Sequence, residues 1–279
     1  MSEDDRDPAS SADFVQSLAR GLAVIRAFDA EHAELGLSDV ARRAGISRAA
    51  ARRFLRTLET LGYVRQTDAR FALTPRVLEL GMSYLSALSL PEIVQPHLEA
   101  LSRATDESVS AAVLDGEDIV YVARVPARRI MSVRITIGTR FPAFATSMGR
   151  VLLAALPTAE LDAALDASAP EAITVRTITD VDALRAELAR VRASGVAIVD
   201  GELELGIRSI AAPIRGRDGR VVAAVNVSTT AARDAADGVI ARATGALLET
   251  VAAIEAELRV ADRRLGSDGL RPPRAPSGA

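Results

Sequence analysis

Apolar residues recur at Val15, Leu18, Leu22, Ile25 and Phe28, close to the period of a helix with one face on a core. "LSDVARRAG" follows, with Ser38 as a candidate N-cap and Gly45 as the terminator. Ile46 bridges to Ser47, a second candidate N-cap, and a third helix runs to about Leu61. Its buried stripe is predicted to be Ala51, Phe54 or Leu55, Leu58 and Leu61, with Arg48, Ala49, Arg52, Arg53 and Arg56 largely off it. "YVRQ", "TDAR" and "FAL" then read as two short strands around a polar turn. Three helices with a short break before the third, followed by a hairpin, predict a winged helix-turn-helix over residues 14–76.

The pattern changes beyond it. Val77 to Leu90 is a helical stretch richer in apolar residues than a lone helix can expose, predicting a linker and dimerisation helix over 77–90. Pro91 marks the break, and 91–265 reads as a second, α/β domain, so the fold class is α+β. "PEIVQPHLEALSRATDES" predicts a helix, and "SVSAAVLDGEDIVYVARV" a hairpin turning at Asp115-Gly116. Ile130–Ile137 reads as a strand, and helices are predicted near Ser147–Leu156, Thr158–Asp166 and Asp180–Ser194. A second hairpin turns at Asp218-Gly219, and one long helix from about Ala231 to Leu265 closes the domain. In "VVAAVNVS", alternation places Val221, Ala223, Val225 and Val227 on one face and Ala224, Asn226 and Ser228 on the other. Residues 1–13 and 266–279 are polar and read as a disordered arm and tail.

Charge separates the two parts. Residues 14–76 carry 11 arginines against 6 acids, whereas the whole chain has a net charge of −3. A basic module on an acidic body points to a polyanionic partner for one end. The absence of cysteine excludes disulfides and thiolate chemistry, and only His32 and His97 offer imidazole. The opening residues are acidic and polar, unlike a signal peptide, and no apolar run is long enough to span a bilayer. The expectation is a cytoplasmic protein without membrane contact, cofactor or metal.

A recognition helix presents its first turns to base edges, and the arginine fork matches guanine O6 and N7. Small residues alongside let the helix approach closely, a role open to Ala49 and Ala50. Arg65 and Arg70 on the hairpin can reach flanking phosphates. A solvated basic face is the alternative for any one arginine; the capped helix before and the hairpin after favour DNA.

"SLARGLAVIRAF", "LSDVARRAGISRAAARRFLRTLETLGYV" and "FALTPRVLELG" resemble the N-terminal domain of the IclR family of bacterial transcriptional regulators. "RFPAFATSMGRVLLA", "GVAIVDGELELGIRSIAAPI" and "AAVNVS" resemble that family's effector domain, and "SRAAARRFL" and "ELELGIRSIA" look most like its protocatechuate and β-ketoadipate branch. The resemblance implies a GAF-like effector-binding domain whose antiparallel sheet cups a small carboxylate, such as protocatechuate or β-ketoadipate. It also implies double-stranded operator DNA as a partner, a homodimer or a dimer of dimers (a homotetramer), and contact with RNA polymerase.

For the effector, the residues themselves point to the loop entering a helix at Thr146–Ser147, where free N–H groups and hydroxyls suit a carboxylate. Plain helix capping is the alternative. For Asn226 and Ser228, spacing alone leaves bonds to neighbouring loops open as well. The resemblance implies ligand contact for Ser147, Met148, Ser209, Asn226 and Ser228. Relatives often carry cysteine at the position of Ser209 and aspartate at that of Val199, leaving Asp200 beside it as the candidate acid. Glu202 and Glu204 are expected to pair with arginines or accept from ligand hydroxyls, with Arg134, Arg140 and Arg208 as cationic candidates. The rival reading is a small-molecule hydrolase with a basic appendage, but "ATSMG" lacks the first glycine of a nucleophile elbow.

Overall fold

The computed structural model of the chain describes residues 14–29, 31–80, 90–127, 135–168 and 170–265. The arm 1–13, the tail 266–279, most of the linker helix predicted over 77–90, Arg134, and most of the strand predicted at Ile130–Ile137 lie outside them. The end of that strand, Ile135–Ile137, is not extended into a sheet. The described residues fall into two compact units, one ending at Leu80 and the other beginning at Leu90.

The first unit holds α1 (Gln16–Arg26), β1 (Glu34–Gly36), α2 (Leu37–Arg43), α3 (Arg48–Thr60), β2 (Val64–Thr67) and β3 (Arg70–Leu73). Gly45 takes φ +65 after α2, and Ile46 N–H donates to Ala41 O at 3.0 Å, closing the helix as a left-handed cap does. Ser47 Oγ accepts from Ala50 N–H at 3.2 Å and starts α3. Ser38, by contrast, sits in the first turn of α2, whose N-cap is Gly36. Val24, Val40, Ala51, Leu55, Leu58, Val64 and Phe71 form the core. Two predicted apolar stripes need correction. Leu61 is half exposed after the end of α3, and α1 turns Val24 and Phe28 inward while Val15, Leu18 and Leu22 face out. The hairpin becomes a three-stranded sheet, β1-β3-β2, because "ELG" adds an edge too short to show alternation.

The second unit is a six-stranded antiparallel sheet with helices on both faces. In chain order its elements are α4 (Leu90–Thr105), β4 (Ser108–Asp115), β5 (Asp118–Val125), β6 (Arg140–Pro142), α5 (Ser147–Ala155), α6 (Thr158–Ser168), α7 (Val181–Ser194), β7 (Ala197–Asp200), β8 (Ile207–Arg215), β9 (Val221–Thr230), α8 (Ala231–Asp237) and α9 (Val239–Leu265). The strand order is β6-β5-β4-β9-β8-β7. One face packs on α4 and α9 through residues such as Val109, Val225, Leu98 and Leu247. The other packs on α5, α6 and α7 through Ala112, Ala224, Met148 and Leu188. The predicted closing helix is broken. Gly238 takes φ +59 and caps α8 on Asp234 O, while Asp234 Oδ1 accepts from Ile240 N–H at 2.7 Å to start α9.

Two irregularities decide which side chains face which layer. Ala111 pairs with Ala123 but Ala112 with Tyr121, leaving Val122 unpaired. Ile214 pairs with Ala223 but Arg215 with Val221, leaving Val222 unpaired. Each extra residue reverses the alternation beyond it. Val221 therefore joins Ala224 on the α5 side, against the predicted grouping with Ala223.

Candidate functional site

In α3, Arg48, Arg52, Arg53 and Arg56 are all exposed, and none of their guanidinium groups makes an ion pair or hydrogen bond among the described residues. Ala49 is exposed and Ala50 half-buried beside them. The opposite face is locked by Ala51, Leu55 and Leu58. An anchored helix thus holds four cations toward solvent, the arrangement a groove-reading helix needs. α2 is fixed by Arg43, whose Nε donates to Ala27 O at 2.7 Å. The hairpin arginines are more engaged. Arg65 reaches Glu34 at 3.3 Å and Thr67 at 3.1 Å, and Arg70 donates to Glu34 O at 2.8 Å. Both stay exposed, with donors left for phosphate.

The second unit encloses a cavity of about 330 Å³ on the α5 side of its sheet. Apolar walls come from Tyr121, Ile135, Phe141, Ile173, Leu203 and Ile207. The Tyr121 and Phe141 rings meet edge to face, 5.9 Å apart at 82°. Burial pushes the Tyr121 hydroxyl up to about 12, so it remains a neutral donor at physiological pH.

The polar lining begins at α5. Thr146 caps the helix by accepting from Gly149 N–H at 3.0 Å. A Cβ on Gly149 would lie 2.0 Å from Ala143 O, so only glycine lets the preceding turn fold against the helix. Ser147 Oγ accepts from Ser209 Oγ–H at 2.9 Å, tying α5 to β8. Asn226 donates from Nδ2 to Ser228 Oγ at 3.0 Å, and its Oδ1 is buried without a partner. Thr146, Ser147, Ser209, Asn226 and Ser228 thus converge on one cavity.

The remaining expected residues diverge. Met148 is fully buried among core residues and does not line the cavity. Asp200 does not line it either; its carboxylate pairs with Arg176 at 3.0 Å and Arg208 at 3.5 Å, and Val199 is the lining residue of β7. Glu202 does line it, but its Oε2 is bound by buried Arg150 at 2.5 Å and by Ile178 N–H at 3.1 Å. Glu204 lines the cavity as well.

The cationic candidates are corrected too. Arg140 holds Asp115 and Asp118 at the hairpin, and these bonds raise it above the ordinary guanidinium value. Arg208 is taken by Asp234 at 2.6 Å. The arginine that lines the cavity is Arg124, which strict alternation places on the same face as Val122 and away from Tyr121. The irregularity at Val122 brings it to the side of Tyr121, where it donates to Ser110 Oγ at 3.4 Å. Burial lowers its pKa below the ordinary guanidinium value.

His97 lies on the face of the sheet away from Ser147 and cannot serve it as a base. His97 pairs with Glu257 at 2.9 Å, joining α4 to α9, and His32 pairs with Asp29 at 2.8 Å in the first unit. Among the described residues no acid–histidine cluster is placed to hold a metal, and no helix is long and apolar enough to cross a membrane.

Comparison with known proteins matches residues 17–68 to the IclR helix-turn-helix domain and residues 82–256 to the bacterial transcriptional regulator IclR C-terminal domain. The chain is similar to the Pca regulon regulatory protein of Pseudomonas putida, 45% identical over 79% of this chain and 76% of that one. It is also similar to the p-hydroxybenzoate hydroxylase transcriptional activator of Acinetobacter baylyi, 38% identical over 77% of this chain and 81% of that one. Among solved structures, a transcriptional regulator of Rhodococcus sp. RHA1 is 58% identical with a TM-score of 0.80, covering 89% of this chain and 100% of its own. A homologue from Microbacterium hydrocarbonoxydans, solved with 4-hydroxybenzoate, is 27% identical with a TM-score of 0.79, covering 88% of this chain and 99% of its own. The proteins matched are regulators, not enzymes.

Proposed function

The chain belongs to the IclR family of bacterial transcriptional regulators, and from that premise we propose that it binds operator DNA through α3 and senses a small aromatic acid in the cavity of its second unit. Residues 14–76 serve as the DNA-binding domain, 77–90 as the linker and 91–265 as the effector domain. Arg48, Arg52, Arg53 and Arg56 read or approach bases, Ala49 and Ala50 permit close contact, and Arg65 and Arg70 take phosphates.

The observation that carries the sensing half is the cavity itself. It has apolar, partly aromatic walls, a polar floor and one unsatisfied buried acceptor, as a pre-formed ligand site does. The relatives named for the Pca regulon and for p-hydroxybenzoate hydroxylase, and the homologue holding 4-hydroxybenzoate, support an aromatic acid. Ser147, Ser209, Asn226 and Ser228 contact the ligand. Glu202 acts from beneath, holding α5 through Arg150.

The regulator works as a dimer, with the 77–90 segment contributing to association. The outward Val15, Leu18 and Leu22 of α1 support such pairing in the first unit. Two recognition helices then meet a pseudo-palindromic site. Effector binding shifts the population of domain arrangements, by no more than its difference in affinity between them, and so alters operator contact or engagement of RNA polymerase.

A thermal-shift screen of aromatic and aliphatic acids tests the sensor. A ligand at 100 times its dissociation constant adds about 2.7 kcal/mol of stability. The same ligand should change the salt-sensitive affinity for a promoter fragment near the protein's own gene. Absence of any salt-sensitive promoter preference, with or without the acids, would sink the proposal.

A further inference from the structure

At about 3.6 residues per turn, the exposed residues of α3 do not all point the same way. Ala49, Arg53 and Arg56 recur at intervals of four and three, directly opposite the buried Ala51, Leu55 and Leu58. Arg48 and Arg52 stand on one shoulder of that stripe, turned toward the Leu55 side. The other shoulder, Ala50 and Thr57, carries no charge. The major groove is about 12 Å wide and a helix with its side chains about 10–12 Å across, so a docked helix fills it. Side chains opposite the core then face the floor, where base edges lie, and those on the shoulder face a wall of phosphates.

Hydrogen bonding divides α3 along its length as well. From Arg48 to Arg56 the outward side chains donate or touch, since a guanidinium has no acceptor. Beyond Arg56 they accept: Thr57 and Thr60 give their hydroxyl protons to Arg53 O and Arg56 O, each at 3.0 Å, and Glu59 is a carboxylate. Such a segment gains nothing from phosphate, and the duplex backbone repels its carboxylate, so close contact ends near Arg56. The wing adds no base reader. Its turn runs through exposed Asp68, at φ +56, with Gln66 Nε2 donating to Asp68 O at 2.6 Å. An acid there opposes entry into a minor groove, whose narrow, strongly negative form attracts arginine.

We propose that Arg53 and Arg56 each read a guanine, the two bases lying within about three consecutive base pairs of a half-site, while Arg48 and Arg52 hold phosphates. Arg53 and Arg56 are about 4.5 Å apart along the helix axis, close to one base-pair step of about 3.4 Å. Each fork matches O6 and N7 of guanine. Adenine sets an amino donor where O6 would be, and that donor opposes a guanidinium. Arg53 and Arg56 are thus the specificity-determining residues and Arg48 and Arg52 the positioning ones, an assignment that rests on reading α3 as the recognition helix.

Selection of binding sites from a random duplex library by the full chain, followed by titration of the selected duplex, tests this. The selected half-site should contain the guanine pair, and 7-deazaguanine at either position, which removes N7, should weaken binding by about tenfold. Arg53→Ala and Arg56→Ala should each make the four bases nearly equivalent at one guanine position. Arg53→Gln should shift its position from guanine to adenine, the base whose N6 and N7 suit an amide. Arg48→Ala and Arg52→Ala should keep the selected sequence, weaken every duplex alike and lower the salt slope of the logarithmic affinity by about one. Melting temperatures establish that each variant folds, and the 7-deazaguanine comparison needs no variant. A half-site without guanines at that spacing, or a base preference that survives in both Arg53→Ala and Arg56→Ala, overturns the assignment while leaving DNA binding intact. Relaxation at a single base in Arg48→Ala or Arg52→Ala does the same. Selection of no sequence at all removes the recognition-helix reading and this inference with it.

Discussion

The two units treat arginine in opposite ways. In α3, four guanidinium groups stand in solvent without partners among the described residues, on a helix whose other face is pinned by Ala51, Leu55 and Leu58. In the second unit Arg150 is almost wholly buried, with Nε on Phe144 O at 3.0 Å and NH2 on Glu202. A scaffold uses the charge it pairs internally, and a recognition surface keeps its charge for something outside. Arg124 falls between the two, half-buried on the wall of the cavity and donating to Ser110 Oγ. Partnering and burial, more than residue type, distinguish the three roles.

The contrast can be broken most forcefully at Arg150. Arg150→Met leaves Glu202 buried without its cation and should cost about 3–5 kcal/mol, read by urea unfolding of the full chain. A loss below about 1 kcal/mol would mean that the pair is not structural. Arg52→Ala should do the converse, losing about 1–3 kcal/mol of operator affinity if it reads a base while leaving unfolding unchanged. Unchanged operator binding would remove Arg52 from readout, and the same measurement applies to Arg53→Ala. Ser47→Ala, which deletes the cap of α3, is expected to cost about 1 kcal/mol of stability in the first unit.

The smallest effect is in the pH dependence. Burial pushes the Asp234 carboxyl up, but the Ile240 amide and the Arg208 guanidinium more than offset it, leaving the group below the usual carboxylate value. A lowered pKa stabilises the fold above the unfolded value of about 3.9 and loses that contribution as pH falls through the folded value. The stability difference between native chain and Asp234→Asn should therefore persist at neutral pH and shrink below about pH 4. A difference that grows on acidification would contradict this assignment.

What was legible in the sequence follows the range of the forces involved. Helix periods, the Ser47 and Thr146 caps and the Gly45 stop are local, and the structure has them where the residues predict. The break at Gly238 is also written locally, in a glycine that ends one helix and an Asp234 that accepts from Ile240 N–H to start the next, although the apolar period alone predicts one continuous helix. Which way α1 faces depends on what surrounds it, so Leu18 and Leu22 were assigned to a core they do not enter. Alternation sets Asn226 and Ser228 on one face of β9, but it is the family resemblance that points to them and to Ser209 as cavity residues, and all three line the cavity. It was illegible where pairing slips. Asp200 is claimed by arginines distant in sequence, and Arg124 reaches the cavity only because Val122 has no partner across the sheet.

That slip at Val122 makes the chamber's chemistry editable by register as well as by substitution. Moving the unpaired position from Val122 to Arg124 would set Val122 opposite Ala111 and Ala123 opposite Ser110, take the guanidinium out of that cross-strand row, and offer the chamber a methyl group from Ala123 instead. A scaffold of this kind can change the lining of its chamber by shifting one kink along a strand, with the rest of the sheet left in register.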